Sequence, residues 1–192
     1  TTDAKSGAIV ELGQWRDTRG NDHQSLSVRS DLALADQIRA PGATWLDRQL
    51  VSREPVETAG GFGAEVRDAL VARSEHLVSE GLARRQGQSF IFAKDLLDEL
   101  RSRDVLDAAK HIAARSGLEH APAHPGEHLA GIYRERVTLS SGRFAMIDDG
   151  LGFSLVPWSK QLDRHLGQYV SGQPRSGGGI EWTLGRSRSI EI

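Results

Sequence analysis

The sequence contains no cysteine among its 192 residues. That excludes a disulfide framework, a thiol nucleophile and any cysteine-ligated zinc or iron–sulfur centre, so a metal would have to be held by histidine and carboxylate. Long apolar runs are missing as well. Nothing approaches the roughly 20 residues needed to cross a bilayer, and no charged-then-apolar leader opens the chain, so no membrane insertion is expected. Lysine is scarce, with 4 residues against 20 arginines. The plain reading of that bias is genome composition, although arginine is also the better bidentate ligand for phosphate. Methionine occurs once, as Met146, and the chain begins Thr1-Thr2-Asp3, which reads as a piece of a longer protein.

What is present is the balance of a soluble globular chain: 38% hydrophobic and 26% charged residues, with a mean hydropathy of −0.41. The length allows one domain or two small ones. A formal charge of −2 and a pI near 6.4 exclude a polyanion binder that uses its whole surface, and leave a local basic patch open.

Along the chain, β-like runs at 8–12 and 25–29 flank a polar stretch rich in Gly and Asx, which predicts a hairpin with a long loop. Asp31 is positioned to cap a short helix over 32–38, and Thr44 a second one carrying Trp45, Leu46 and Leu50. Val66, Ala69, Leu70, Leu77 and Val78 recur at helical spacing and Gly81 follows as a stop. Two short strands around Gln86-Gly87-Gln88 come next, giving the order of a winged helix. A long helix is expected over 93–116, with Glu99 and Arg103 as a surface pair. Pro122, Pro125 and Gly126 mark a linker. The remainder predicts a three-strand meander through turns at Ser140-Ser141-Gly142 and Asp148-Asp149-Gly150, an amphipathic helix over 158–170 and a last strand at 180–184. The expected fold is therefore α+β: a β-hairpin plus winged-helix-like helical subdomain over 1–117, a linker over 118–128, and a small antiparallel β-meander or partial barrel with one helix over 129–192.

Residues suited to chemistry are few. His120, His124 and His128 have the spacing of ligands on one helix face, but Pro122 and Pro125 forbid that helix, and a solvated linker is the better reading. Asp148-Asp149 could pair on a metal with His128 in a nuclease, yet adjacent strand residues face opposite ways and Asp-Gly is a turn signature. Gly177-Gly178-Gly179 lacks the Lys-Ser/Thr of a phosphate loop. No serine occupies a nucleophile elbow, and Tyr133 and Tyr169 sit in patterned elements where core or boundary positions are the default. No catalytic residue, metal site or cofactor is assigned. Arg84 and Arg85 on the short hairpin, with Arg175, Arg186 and Arg188 near the C-terminus, are the candidates for phosphate contact. Two arginines in a turn are equally compatible with a solvated surface.

Three blocks carry a resemblance: Ala43-Thr44-Trp45-Leu46-Asp47-Arg48-Gln49-Leu50, Gly81-Leu82-Ala83-Arg84-Arg85-Gln86-Gly87, and the run from Ser141-Gly142-Arg143-Phe144 through Val156-Pro157-Trp158. Together they resemble the C-terminal region of a group of proteobacterial conjugative relaxases, plasmid mobilisation proteins related to the agrobacterial transfer-DNA endonuclease. In such proteins a separate N-terminal domain nicks DNA with a tyrosine nucleophile and a histidine-held metal, and nothing in this chain matches that site. The resemblance implies a non-catalytic accessory module in the cytoplasm. Its partners would be plasmid DNA, or the coupling ATPase and other proteins of the conjugation and type IV secretion apparatus. The alternatives are a metal-dependent nuclease domain and a purely structural or translocation-signal module. The tail keeps Gly185-Arg186-Ser187-Arg188 but ends in Ser189-Ile190-Glu191-Ile192, a departure from the pattern.

Overall fold

A computed structural model describes residues 8–16, 18–19, 22–52, 61–176 and 178–184, and in it the chain mixes α-helices with β-sheet. Strands β1 (Ile9–Arg16) and β2 (Asp22–Ser30) form an antiparallel hairpin whose register runs from Ile9↔Ser30 to Arg16↔Asp22. Both strands extend further toward the turn than the apolar runs predict. Helix α1 (Leu34–Ile38) starts after Ala33, which contributes no side-chain cap. Asp31 is therefore not its cap. Helix α2 (Trp45–Val51) does start at Thr44. The Thr44 hydroxyl accepts from the Asp47 backbone N–H at 3.4 Å, and the Asp47 carboxylate accepts from the Thr44 N–H at 2.7 Å. This reciprocal capping box satisfies donors that a helix start leaves orphaned.

Helix α3 (Gly61–Ser79) is followed by strands β3 (Ala83–Gln86) and β4 (Ser89–Phe92), which pair antiparallel about a two-residue turn. Gly87 opens that turn at φ +61°, a conformation costly for any residue with a Cβ. Helix α4 (Leu96–Ser116) comes next, with the expected Glu99–Arg103 pair at 2.8 Å.

The chain divides into two compact units, Thr1–Asp104 with Ser140–Gly142, and Val105–Leu139 with Arg143–Ile192. The division falls inside α4, between Asp104 and Val105, whereas the sequence places the boundary over 118–128. In the first unit, Trp45 and Leu46 of α2 pack with Val66 and Ala69 of α3 and with Ile9. A second cluster joins Leu77, Leu82, Leu96, Leu100 and Ala43. Burying one such leucine contributes about 1.5–3 kcal/mol.

The second unit is built on a six-stranded sheet of order β10-β9-β6-β7-β8-β5. Its strands are β5 (Glu119–His120), β6 (Leu129–Leu139), β7 (Gly142–Asp148), β8 (Gly152–Pro157), β9 (Tyr169–Pro174) and β10 (Ile180–Thr183). The predicted meander is β6-β7-β8. Residues 144–148 of β7 are all buried, as expected for a strand covered on both faces. Ala145 and Ile147 join one core with Tyr133, Val156, Leu162 and Val170. Met146 joins Phe153, Leu155 and the α4 residues Ala109 and Ile112 in the other.

Two expectations for this unit are corrected. The helix predicted over 158–170 is a single 3₁₀ turn, Lys160–Leu162, then further turns and β9. The apolar spacing of Leu162, Leu166 and Val170 fits a helix, but Val170 pairs with Gly131 of β6, and Tyr133 exchanges backbone bonds with Gly167 and Gln168. Sheet pairing outcompetes the local preference, and Leu166 is left exposed. The segment read as a linker contains β5, which pairs parallel to β8 through Glu119↔Gly152 and His120↔Phe153.

Candidate functional site

The β3–β4 hairpin of the first unit has two unlike faces. Cross-strand partners share a face, so Ala83 lies with Phe92 and Arg85 with Phe90, while Arg84 lies with Ile91 and Gln86 with Ser89. Ala83 and Phe92 pack against the leucine cluster, which turns Arg84, Gln86, Ser89 and Ile91 to solvent. Arg85 is held: it pairs with Glu75 of α3 at 2.6 Å and lies over the Phe90 ring at 5.5 Å. Arg84 is exposed, and among the described residues no carboxylate pairs with it. The two arginines are neighbours in sequence but differ in availability.

Arg175, in the second unit, follows β9 and pairs with Glu181 of β10. Arg186 and Arg188 lie outside the described residues. The structure thus brings Arg84 and Arg85 onto one hairpin and places Arg175 in the other unit.

The histidines stand apart in role. His120 is half-buried on β5, 5.3 Å from the Phe153 ring, and burial lowers its pKa below the ordinary imidazole value. His124 and His128 are exposed. The Asp148-Asp149 pair builds a turn: Asp148 accepts from the Gly150 N–H at 2.8 Å and pairs with Arg134 at 2.9 Å, and Asp149 accepts from Leu151 and Gly152 at 2.9 and 2.8 Å. Those backbone bonds hold the Asp149 carboxyl below its ordinary pKa. Among the described residues, no group of three or more His, Asp or Glu side chains is placed to hold a metal, and no helix is long and apolar enough to cross a membrane. Tyr133 is a core residue and Tyr169 is exposed.

One cluster in the second unit was missed from sequence. Arg136 of β6 and Arg143 of β7 both lie over the Trp158 ring, at 5.2 and 5.9 Å from its centre. The Trp158 backbone N–H donates to the Arg143 carbonyl at 2.9 Å. Arg136 faces Asp163 at 3.6 Å. Burial pushes the Tyr133 phenol above its ordinary pKa, and the Arg136 charge pulls it back. The indole N–H is buried beside that phenol without completing a hydrogen bond. Arg143 and Trp158 both fall in the longest block of the resemblance, but their meeting depends on strand register, which spacing alone does not supply.

Comparison with curated proteins and comparison with solved structures each gave no match. Over residues 9–191 the sequence matches the domain family described as protein of unknown function (DUF3363), and the chain belongs to that family.

Proposed function

We propose that this chain is a non-catalytic C-terminal accessory module of a conjugative relaxase, which contributes DNA contact through the β3–β4 hairpin or docks onto the transfer apparatus. The observation that carries the DNA reading is Arg84, an exposed guanidinium with no acidic partner among the described residues, on a face shared with the uncharged residues Gln86, Ser89 and Ile91. Such a face admits close approach of a phosphate backbone. In this reading α1, α2, α3 and the hairpin are a winged-helix-like group whose wing makes the contact, and the second unit is a partly closed sheet.

The contact is assigned to the hairpin and not to α3. The exposed positions of α3 carry Glu65, Asp68 and Glu75 against Arg67, a face with too much negative charge to enter a groove lined by phosphates. Plasmid DNA is the partner this supports, in the cytoplasm, with the coupling ATPase as the protein partner if docking is the role. Binding to single- and double-stranded DNA across a salt series tests it. Affinity that falls as salt rises is expected. Absence of salt-dependent binding removes the DNA contact and leaves docking.

A further inference from the structure

We infer that Glu75 withholds Arg85 from nucleic acid, so that the β3–β4 hairpin carries a second phosphate ligand which is released only when that carboxylate loses its charge. The inference deepens the DNA-binding reading and rests on it.

Both groups lie in the first unit, and both are reachable from solvent. Arg85 Nη2 meets Glu75 Oε1 at 2.6 Å, with 59% of the Arg85 side chain and 45% of the Glu75 side chain exposed. The same guanidinium lies 5.5 Å from the centre of the Phe90 ring. Phe90 in turn stacks with Phe92, which packs against the leucine cluster. A carboxylate and an anchored aromatic ring therefore both attract the Arg85 charge. Arg84, its neighbour on β3, has neither contact. Adjacent strand residues project to opposite faces, so the two arginines would engage different phosphates and their contributions are separable.

A phosphate and the Glu75 carboxylate compete for one guanidinium. If Arg85 leaves Glu75 for a phosphate, the abandoned carboxylate stands close to a second anion and repels it. If Arg85 stays between them, it must hold two anions together. Either route lowers affinity by about two- to fivefold, the worth of an exposed ion pair. Without the Glu75 charge that opposition is gone, and the ring still positions Arg85 before any ligand arrives, so little rotamer freedom is lost on binding. The hairpin then neutralises one phosphate more.

The test is fluorescence anisotropy of a labelled duplex titrated with the full chain over a salt series. The proteins compared are wild type, Glu75→Gln, Arg85→Gln, the double variant carrying both, and Asp68→Asn. The last removes a charge from an exposed position of the same helix, two turns before Glu75. Melting curves accompany each protein, and all three positions are exposed. The expected result is that Glu75→Gln binds about two- to fivefold more tightly and steepens the slope of log affinity against log salt by about 0.9, the increment for one phosphate. Arg85→Gln alone should leave the wild-type slope unchanged. Added to Glu75→Gln, it should cancel the gain, which is the signature of coupling between the two residues. No gain in Glu75→Gln, a gain that survives in the double variant, an equal gain in Asp68→Asn, or a shallower slope in Arg85→Gln alone would overturn the inference and leave the DNA reading standing. If no protein binds, both fail.

Discussion

Arg73 and Asp47 are paired where neither side chain meets solvent, with Arg73 Nε 2.8 Å from one Asp47 oxygen and Nη2 2.9 Å from the other. The remaining N–H groups of Arg73 donate to the carbonyls of Ile38, Ala40 and Gly42. All five guanidinium donors are thereby satisfied. The Asp47 carboxylate also closes the capping box on Thr44, so one pair joins α3 to α2 and to the end of α1.

Removing one partner leaves an uncompensated buried charge, which costs about 3–5 kcal/mol. Asp47→Ala and Arg73→Ala should each lower the urea midpoint of the first unit by far more than Thr44→Ala, which loses only a cap worth about 1 kcal/mol. Arg73→Lys should fail to rescue, because an ammonium cannot reproduce the planar fork. Equal shifts for Thr44→Ala and Asp47→Ala would contradict the central place given to this pair.

Gly42 lies against a second buried carboxylate. Asp104 accepts from both the N–H and the hydroxyl of Ser141 at 2.8 Å, and the Ser141 hydroxyl accepts from the Ala43 N–H at 2.9 Å. A Cβ at Gly42 would sit 2.0 Å from Asp104 Oδ2 and 2.4 Å from Ser141 Oγ. Gly42→Ala should therefore destabilise by about 1–3 kcal/mol through overpacking. A wild-type melting curve for this variant would show that the close approach is not enforced.

His120 sets a pH dependence. Burial lowers its folded pKa below the unfolded value, so the unfolded chain binds the extra proton and stability falls as pH drops through and below the ordinary imidazole range near 6.5. His120→Gln should flatten that acid loss while leaving stability near neutral pH little changed. Urea unfolding at pH 7.5 and 5.5 measures it, and an equally steep loss in the variant would assign the effect to other groups.

The elements legible in the sequence are those fixed by neighbours in the chain. Thr44 announces a helix start, and Gln86-Gly87-Gln88 between two short strand-like runs announces a hairpin; both are found. The 158–170 segment misled because its apolar spacing is local while its fate is decided by β6, whose Gly131 and Ile132 take Val170 and Tyr169 as partners. β5 escaped notice because two residues paired parallel to a distant strand leave no periodicity. Arg73 reads in sequence as one more solvated arginine on a helix, since nothing nearby signals three carbonyls from another segment. For the candidate site, the hairpin was visible and the difference between Arg84 and Arg85 was not, because it depends on Glu75 of the preceding helix.

The most direct test of DNA contact through the hairpin is the salt slope of duplex binding for wild type and Arg84→Gln. The account predicts a negative slope in wild type, reduced in magnitude by about 0.9 in Arg84→Gln through loss of one phosphate contact. Identical slopes, or binding that does not respond to salt, would contradict it.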